Sequence, residues 1–227
     1  MKLYTYAGAP NPRRVHIYLA EKGIEIPFEQ VDILKSENRN PEFKDRVNVM
    51  GRIPVLELDD GSHIAESIAI CRYFEVEQPD PPLFGKGAQG QACVEMWTRR
   101  IELNLMTPVG MVWMHGSPHT KHVMKNQIPE MAEQSRESVN RYFKFLDRHL
   151  EANEFLTGEN FSIADIVALC TLDFAAKLNE LPHSPEEKNL DRWYQSVSGR
   201  PSASAYDQPE SMADSIRSFV RDNFGSG

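Results

Sequence analysis

Glu66 and Ser67 set a carboxylate beside a hydroxyl at the predicted start of a helix, a pairing suited to an α-amino acid end group. The residues that follow, Ile68, Ile70, Cys71 and Phe74, have helical apolar spacing. Ser67 as N-cap would leave free backbone N–H groups and a partial positive charge there, which favour a carboxylate. Glu66 can receive an ammonium group a few ångströms away. Upstream, Gly51-Arg52-Ile53-Pro54 breaks the chain before a short apolar run. Pro54 has no N–H to give a sheet, so it belongs at an edge or in a special turn and is a candidate for a cis peptide bond.

The elements that must position these residues can be read around them. Val55–Leu58 and Ser62–Ala65, separated by Asp59-Asp60-Gly61, read as a hairpin. The aromatic, β-prone Lys2–Tyr6 is stopped by Ala7-Gly8-Ala9-Pro10-Asn11-Pro12. A helix follows, with Asn11 expected as N-cap, Pro12 at the first helical position, Val15, Tyr18 and Leu19 inward, and Gly23 closing it. Phe28–Ile33 reads as a second strand, and a short helix runs from Pro41 to before Gly51. The predicted order is β-α-β-α-β-β-α. Pro79, Asp80, Pro81 and Pro82 punctuate the chain most strongly, which places a linker at 79–87 between a domain at 1–78 and another at 88–227.

The second domain reads as all-helical. Val94, Trp97, Ile101, Leu105, Val109 and Val112 keep helical spacing through Gln89–Met114, and a further helix spans Pro129–Glu151. Ser162 and Asp165 form a capping signal with Phe161 as staple, so Asp165 is expected to be structural. The apolar run Ile166–Phe174 marks a central helix, and the last residues are expected to wrap the surface.

At 227 residues and 41% hydrophobic content, the chain can bury a full core. A formal charge of -8 argues against nucleic acid as a partner and is ordinary for solubility. Cys71, Cys93 and Cys170 are few and far apart, which suggests neither a disulfide framework nor a CxxC site. No signal-peptide pattern or long apolar span is evident, so the predicted location is cytoplasmic, with no membrane partner.

The run GRIPVLELDDGSHIAES resembles the glutathione-binding half of cytosolic glutathione transferases, and FSIADIVAL resembles their second domain. The resemblance implies a thioredoxin-like α/β N-terminal domain, an all-α C-terminal domain and a homodimer. It also implies that Ile53, before a cis-Pro54, pairs by its backbone with the cysteinyl part of glutathione, and that Glu66 and Ser67 hold the γ-glutamyl end. Arg52 and Arg39 are the candidates for the glycine carboxylate. Glutathione would be a co-substrate, with no further cofactor.

Most branches of that family activate the thiol with a Tyr, Ser or Cys at the first strand-to-helix turn; this chain has Ala9-Pro10-Asn11-Pro12 there. The run APNPRRVHIYLAEKG most resembles an atypical fungal and bacterial branch that uses the helix N-terminus and a water held by a His and a Ser. That resemblance makes Asn11, His115 and Ser117 the catalytic candidates; Asn11 as a plain cap and the histidines as surface residues are the alternatives. Tyr4 and Tyr6 precede the turn and read as packing. His115, His119 and His122 lie close together, but no Cys, Asp or Glu completes a site, so no metal is expected. Met106, Met111, Trp113 and Met114 would line an apolar electrophile pocket, or else a helix core or dimer contact. The predicted activity is addition of the glutathione thiolate to a small apolar electrophile. The alternatives are a glutathione-dependent peroxidase, reductase or lyase, or a non-catalytic binding protein. Arg13 and Arg14 open a helix where positive charge is mildly unfavourable, which hints at interdomain pairing or a role in ligand potential.

Overall fold

The computed structural model describes residues 1–121, 123–204, 214–216, 218–219 and 222. Two units divide the chain, one of residues 1–81 joined by the described residues from 201 onward, the other of residues 82–200.

The first unit holds a four-stranded sheet in the order β2-β1-β3-β4. Strand β1 (Lys2–Thr5) pairs parallel with β2 (Phe28–Gln30) and antiparallel with β3 (Val55–Glu57), which pairs antiparallel with β4 (His63–Ala65). Helix α1 (Pro10–Lys22) connects β1 to β2, α2 (Pro41–Arg46) precedes β3, and α3 (Ser67–Glu77) follows β4. This is the thioredoxin-like arrangement expected. The period of two places Leu3, Thr5 and Leu56 on one face. Tyr4, Val31 and Val55 on the other pack with Phe43, Val47 and Ile53.

Lys22, 4% exposed, ties α1 to α3. Its Nζ donates to the Gln78 carbonyl at 2.8 Å and pairs with Glu75 at 2.6 Å, while Gln78 Nε2 donates back to the Lys22 carbonyl at 2.6 Å. Tyr18 donates to the same Glu75 carboxylate at 2.5 Å.

The second unit is helical: α4 (Gly87–Ile101), α5 (Thr107–Gly116), α6 (Pro129–Leu150), α7 (Ile163–Leu178) and α8 (Lys188–Ser198). The single helix expected over Gln89–Met114 is interrupted by a π turn at Glu102–Met106. Pro108 causes it, because a ring without N–H clashes with the carbonyl four residues back. Thr107 compensates with its N–H and its hydroxyl, at 2.9 Å, both donated to the Glu102 carbonyl. Helix α7 is buried almost throughout and begins with the capping box of Ser162 and Asp165. No helix among the described residues is long and apolar enough to cross a membrane.

The domain expected over 88–227 runs past the observed boundary. Pro201–Ser204 lies in the first unit, where Arg13 Nη2 donates to the Ala203 carbonyl at 3.2 Å and Ser202 Oγ bonds Glu21.

Candidate functional site

The strand register gathers the first unit's candidates at one end of its sheet. Tyr4–Val55 is the last pair of the β1–β3 ladder and Val55–Ala65 the last of β3–β4, so Ile53-Pro54 and Glu66-Ser67 lie just beyond the same end. Strand β1 leaves the sheet at that end and leads through Ala7–Ala9 into α1, which carries Asn11. The backbone of Ile53 therefore lies outside the ladder. The Ile53–Pro54 peptide is cis, and Pro54 leads into an interior strand, which settles its place as a special turn rather than an edge.

Two asparagines build that turn. Asn48 accepts from the Met50 N–H at 3.0 Å and donates to the Arg52 carbonyl at 2.8 Å, while Asn38 Nδ2 donates to the Gly51 carbonyl at 2.7 Å. Gly51 has φ +60°, and a Cβ there would sit 2.8 Å from the Asn38 carbonyl, so only glycine fits. Asn38 belongs to the turn Glu37–Arg39, so this bond also ties the Arg39 segment to the Arg52 segment. Both arginines are exposed.

Both expected caps are displaced by one or two residues. Ala9 caps α1 with φ -68° and ψ 134°, and Pro10 takes the first helical position, which puts Asn11 inside the first turn. Asn11 is thus not the N-cap. Pro10 and Pro12 have no N–H, and the Arg13 N–H already reaches the Ala9 carbonyl at 3.0 Å. Of the first three helical residues, only Asn11 keeps a backbone donor. Glu66, not Ser67, holds the N-cap position of α3, with φ +69° and no side-chain cap bond. A positive φ on a residue with a Cβ is strained backbone, kept where the surroundings impose it. Ser67 is therefore the first helical residue, 6% exposed, and its Oγ lies 3.5 Å from Arg14 Nη1. Glu66 is exposed. The amides of Ser67, Ile68 and Ala69 precede the first helical bond of α3, from Ile70 to the Glu66 carbonyl at 3.0 Å.

Tyr4 is committed elsewhere: its hydroxyl donates to Glu57 at 2.7 Å, and burial followed by that bond pushes the phenol upward. On the α2 face, near Tyr4, lies a cleft of about 730 Å³ that also takes in Lys2, Glu29, Glu57 and His63. Most of its charges pair with one another: Lys2 with Glu29 at 3.0 Å and Glu57 at 3.6 Å, and Glu42 with Arg46 at 3.0 Å.

In the second unit, His115 and Ser117 stand at the C-terminal end of α5 in scaffolding bonds. His115 Nδ1 accepts the Ile128 N–H at 3.2 Å, which assigns the ring proton to Nε2; the ring in this state can donate from Nε2 but has no free lone pair there. Ser117 is 7% exposed, and its Oγ accepts the His119 N–H at 3.3 Å. Gln127 Nε2 bonds the carbonyls of Met114 at 3.1 Å and Ser117 at 2.7 Å, closing the segment onto the helix end.

The four pocket candidates do not share one face. Trp113 packs on His119 and on Phe174 of α7, and the Met106 sulfur accepts from Thr171 Oγ1 of α7 at 3.7 Å. Met111 is 38% exposed, and Met114, three residues on, lies on the same helix face. Among the described residues no group of three His, Cys, Asp or Glu forms a metal site; His122 lies outside them.

The sequence reading missed Asn38 and Asn48; for Asn48 the signal was its place three residues before Gly51. It also missed the direction of Arg14, whose signal was a paired cation in a first helical turn.

A thioredoxin-like unit whose sheet end carries Ile53-Pro54 and Glu66-Ser67, with a separate all-helical unit, is the two-domain architecture of glutathione S-transferases. The sequence pattern of the glutathione S-transferase N-terminal domain matches residues 9–77, and that of the C-terminal domain matches residues 108–201. Glutathione S-transferase 2 of Saccharomyces cerevisiae is 34% identical over 205 residues, 89% of this chain and 87% of its own. The crystal structure of Gtt2 from the same yeast superposes with a TM-score of 0.85 at 34% identity, covering 90% of this chain and 99% of that one. Elongation factor 1-gamma of Equus caballus is 31% identical over 165 residues, 72% of this chain but 36% of its own length. The chain belongs to the glutathione S-transferase family.

Proposed function

We propose that the chain binds glutathione at the sheet end of its first unit and adds the thiolate to a small apolar electrophile. One observation carries the reading: the strand register brings an unladdered Ile53 backbone, the free amides of α3 at Ser67 and the exposed Glu66 carboxylate to the same place. Helix amides take a carboxylate, Glu66 takes an ammonium group, and an extended backbone pairs with Ile53. Arg52 and Arg39 are the proposed partners of the glycine carboxylate.

A thiol near its ordinary range is a weak nucleophile at neutral pH, so the site must favour the thiolate. Asn11 supplies the donor in this reading, through its own N–H and its side-chain amide, in the positive end of the α1 dipole. His115 and Ser117 enter as donors to a bound water, since His115 Nδ1 is taken. Met106, Met111, Trp113 and Met114 supply apolar surface for the electrophile. A cytoplasmic homodimer with a detoxifying role accompanies the proposal.

The likeness to elongation factor 1-gamma favours a second reading, in which the scaffold binds a ligand or partner without turnover. A titration with glutathione that follows thiolate ultraviolet absorbance across pH separates the two. Saturable binding with thiolate present near neutral pH is the expected result. Binding without thiolate would favour the second reading, and no binding would overturn the transferase reading.

A further inference from the structure

At the end of the sheet opposite Ile53-Pro54, the ladder pairs Lys2–Glu57 and Glu57–His63 set three ionisable side chains in a row across β1, β3 and β4. The period of two puts them on the α2 face with Tyr4, and the Tyr4–Glu29 pair brings Glu29 of β2 to that face as well. A sheet face under a helix is ordinarily apolar. Here α2 is six residues long and buries none of them, and residues of both line the cleft of about 730 Å³.

The lining suits a cation with an apolar body. Glu29, Glu37, Glu42 and Glu57 stand there against the fixed cations Lys2 and Arg46, four carboxylates to two, while Tyr4, Val31, Phe43 and Val47 supply an apolar floor. The chain's own amine shows how an ammonium group sits in it. Lys2 Nζ lies 4.5 Å from the Tyr4 ring centre, 3.0 Å from Glu29 and 3.6 Å from Glu57. One polar atom is left over. His63 Nε2 is enclosed and has no hydrogen-bond partner; the Glu57 carboxylate is 3.7 Å away, too far for that bond. With its proton on Nδ1 the ring offers Nε2 as an acceptor, so an entering N–H donor has both Nε2 and Glu57 to give to. From the α2 side, the Glu42–Arg46 pair is 75% and 78% exposed, and a pair so exposed is worth little, so the Glu42 carboxylate is open to a competing cation.

We propose that this cleft binds a linear aliphatic diamine or polyamine, separately from glutathione. One ammonium end enters between Glu57 and His63 Nε2, the methylene stem lies on Tyr4, Phe43 and Val47, and the other end meets Glu42 and Glu37. A monoamine satisfies one rim only, and the excess of carboxylates repels an anion. A metal ion fits less well, since the Lys2 ammonium stands among the carboxylates and no three metal-ligating side chains converge among the described residues. This inference does not rest on the glutathione reading, because the row stands at the other end of the ladder.

The test is calorimetric titration of the full chain, at one fixed ionic strength, with diaminobutane, with spermidine and, as the one-charge control, with butylamine. Saturable binding of the first two is expected, with butylamine weaker by about tenfold or more. Glu57→Gln should weaken diaminobutane by about tenfold, the size of a hydrogen bond to a charged group. Glu42→Gln changes only an exposed pair, keeps the test alive if the Glu57 variant does not fold, and should weaken it by about threefold. His63→Phe keeps a ring and removes the nitrogen, with a loss of about threefold. Lys2→Met has the opposite sign: it keeps the stem over Tyr4, releases Glu29 and Glu57 from the chain's own cation, and should tighten diaminobutane by about threefold or more. Glutathione titrations of these variants should all match the wild type. A wild type that binds neither amine, butylamine binding as well as diaminobutane, or a Lys2→Met variant that binds no tighter would leave the row a solvated rim and overturn the proposal. Binding of a lysine-rich peptide without binding of diaminobutane would overturn it too and give the cleft to a basic protein segment.

Discussion

Pro12 follows Asn11 in the first turn of α1 and, having no N–H, leaves the Asn11 amide as the one free backbone donor among the first three helical residues. The first turn is therefore narrower as an anion site than a helix start with three open amides. The proposed thiolate contact falls on one residue. Asn11→Ala keeps the backbone N–H and removes the side-chain amide. Its expected effect is an upward shift of the bound thiol's pKa and a loss of about tenfold in turnover at neutral pH, the worth of one hydrogen bond to a charged group. Affinity should change little. Thiolate absorbance against pH measures the shift, and a variant with wild-type absorbance at every pH would remove the side chain from the mechanism.

Glu66 separates binding from stability. Its φ of +69° is a region that glycine enters freely and residues with a Cβ do not. Glu66→Ala and Glu66→Gly both remove the carboxylate, and each should weaken glutathione more than tenfold. In stability they should part, with the glycine variant the more stable by about 1 kcal/mol because it releases the backbone. Urea unfolding and calorimetry on the two variants give both quantities. Equal stabilities would mean that the surrounding structure imposes no strain there.

These positions also show what the sequence could and could not convey. The hairpin, Pro54 and Glu66-Ser67 were legible because turn residues, alternation and a proline act over a few neighbouring residues. The caps were not, because Ala9 and Glu66 hold the N-cap positions through backbone angles and not through the side-chain chemistry that made Asn11 and Ser67 the obvious choices. The break at Glu102–Met106 was hidden by apolar spacing that continues through it, although Pro108 carried the cause. The packing of Trp113 on Phe174 was not legible either, because it depends on the tertiary course of α7. The bond from Ile128 to His115 likewise joins residues that only the fold brings together.

His16 gives the first unit a pH dependence. Burial pushes its imidazole from the ordinary 6.5 down to about 4, and Thr5 Oγ1 lies 2.9 Å from its Nε2. Between those values the unfolded chain takes up a proton that the folded chain refuses. The contribution is fully present above pH 6.5 and is lost as pH falls toward 4, with an upper bound of about 3 kcal/mol. His16→Gln removes the titration and should flatten the stability profile in that window. Denaturant midpoints measured from pH 4 to pH 7 decide it, and a wild-type profile as flat as the variant's would mean the ring protonates without cost.

Asp165 tests whether the helical unit's buried carboxylate is structural. Leu156 N–H and Trp193 Nε1 each donate to Oδ1 at 2.9 Å, and the Ser162 N–H and hydroxyl each donate to Oδ2 at 3.0 Å. Burial pushes this carboxyl upward, and the donors hold it down. Asp165→Ala would strand all of those donors in a fully buried place and should cost about 3–5 kcal/mol. Asp165→Asn keeps one acceptor but turns an NH₂ toward groups that also donate, so it should recover less than half of the loss. Thermal unfolding ranks the three proteins. Glutathione binding by whatever fraction remains folded should match the wild type, since the proposed site is built in the first unit; a folded variant that binds but has lost its thiolate signal would instead give Asp165 a part in the chemistry.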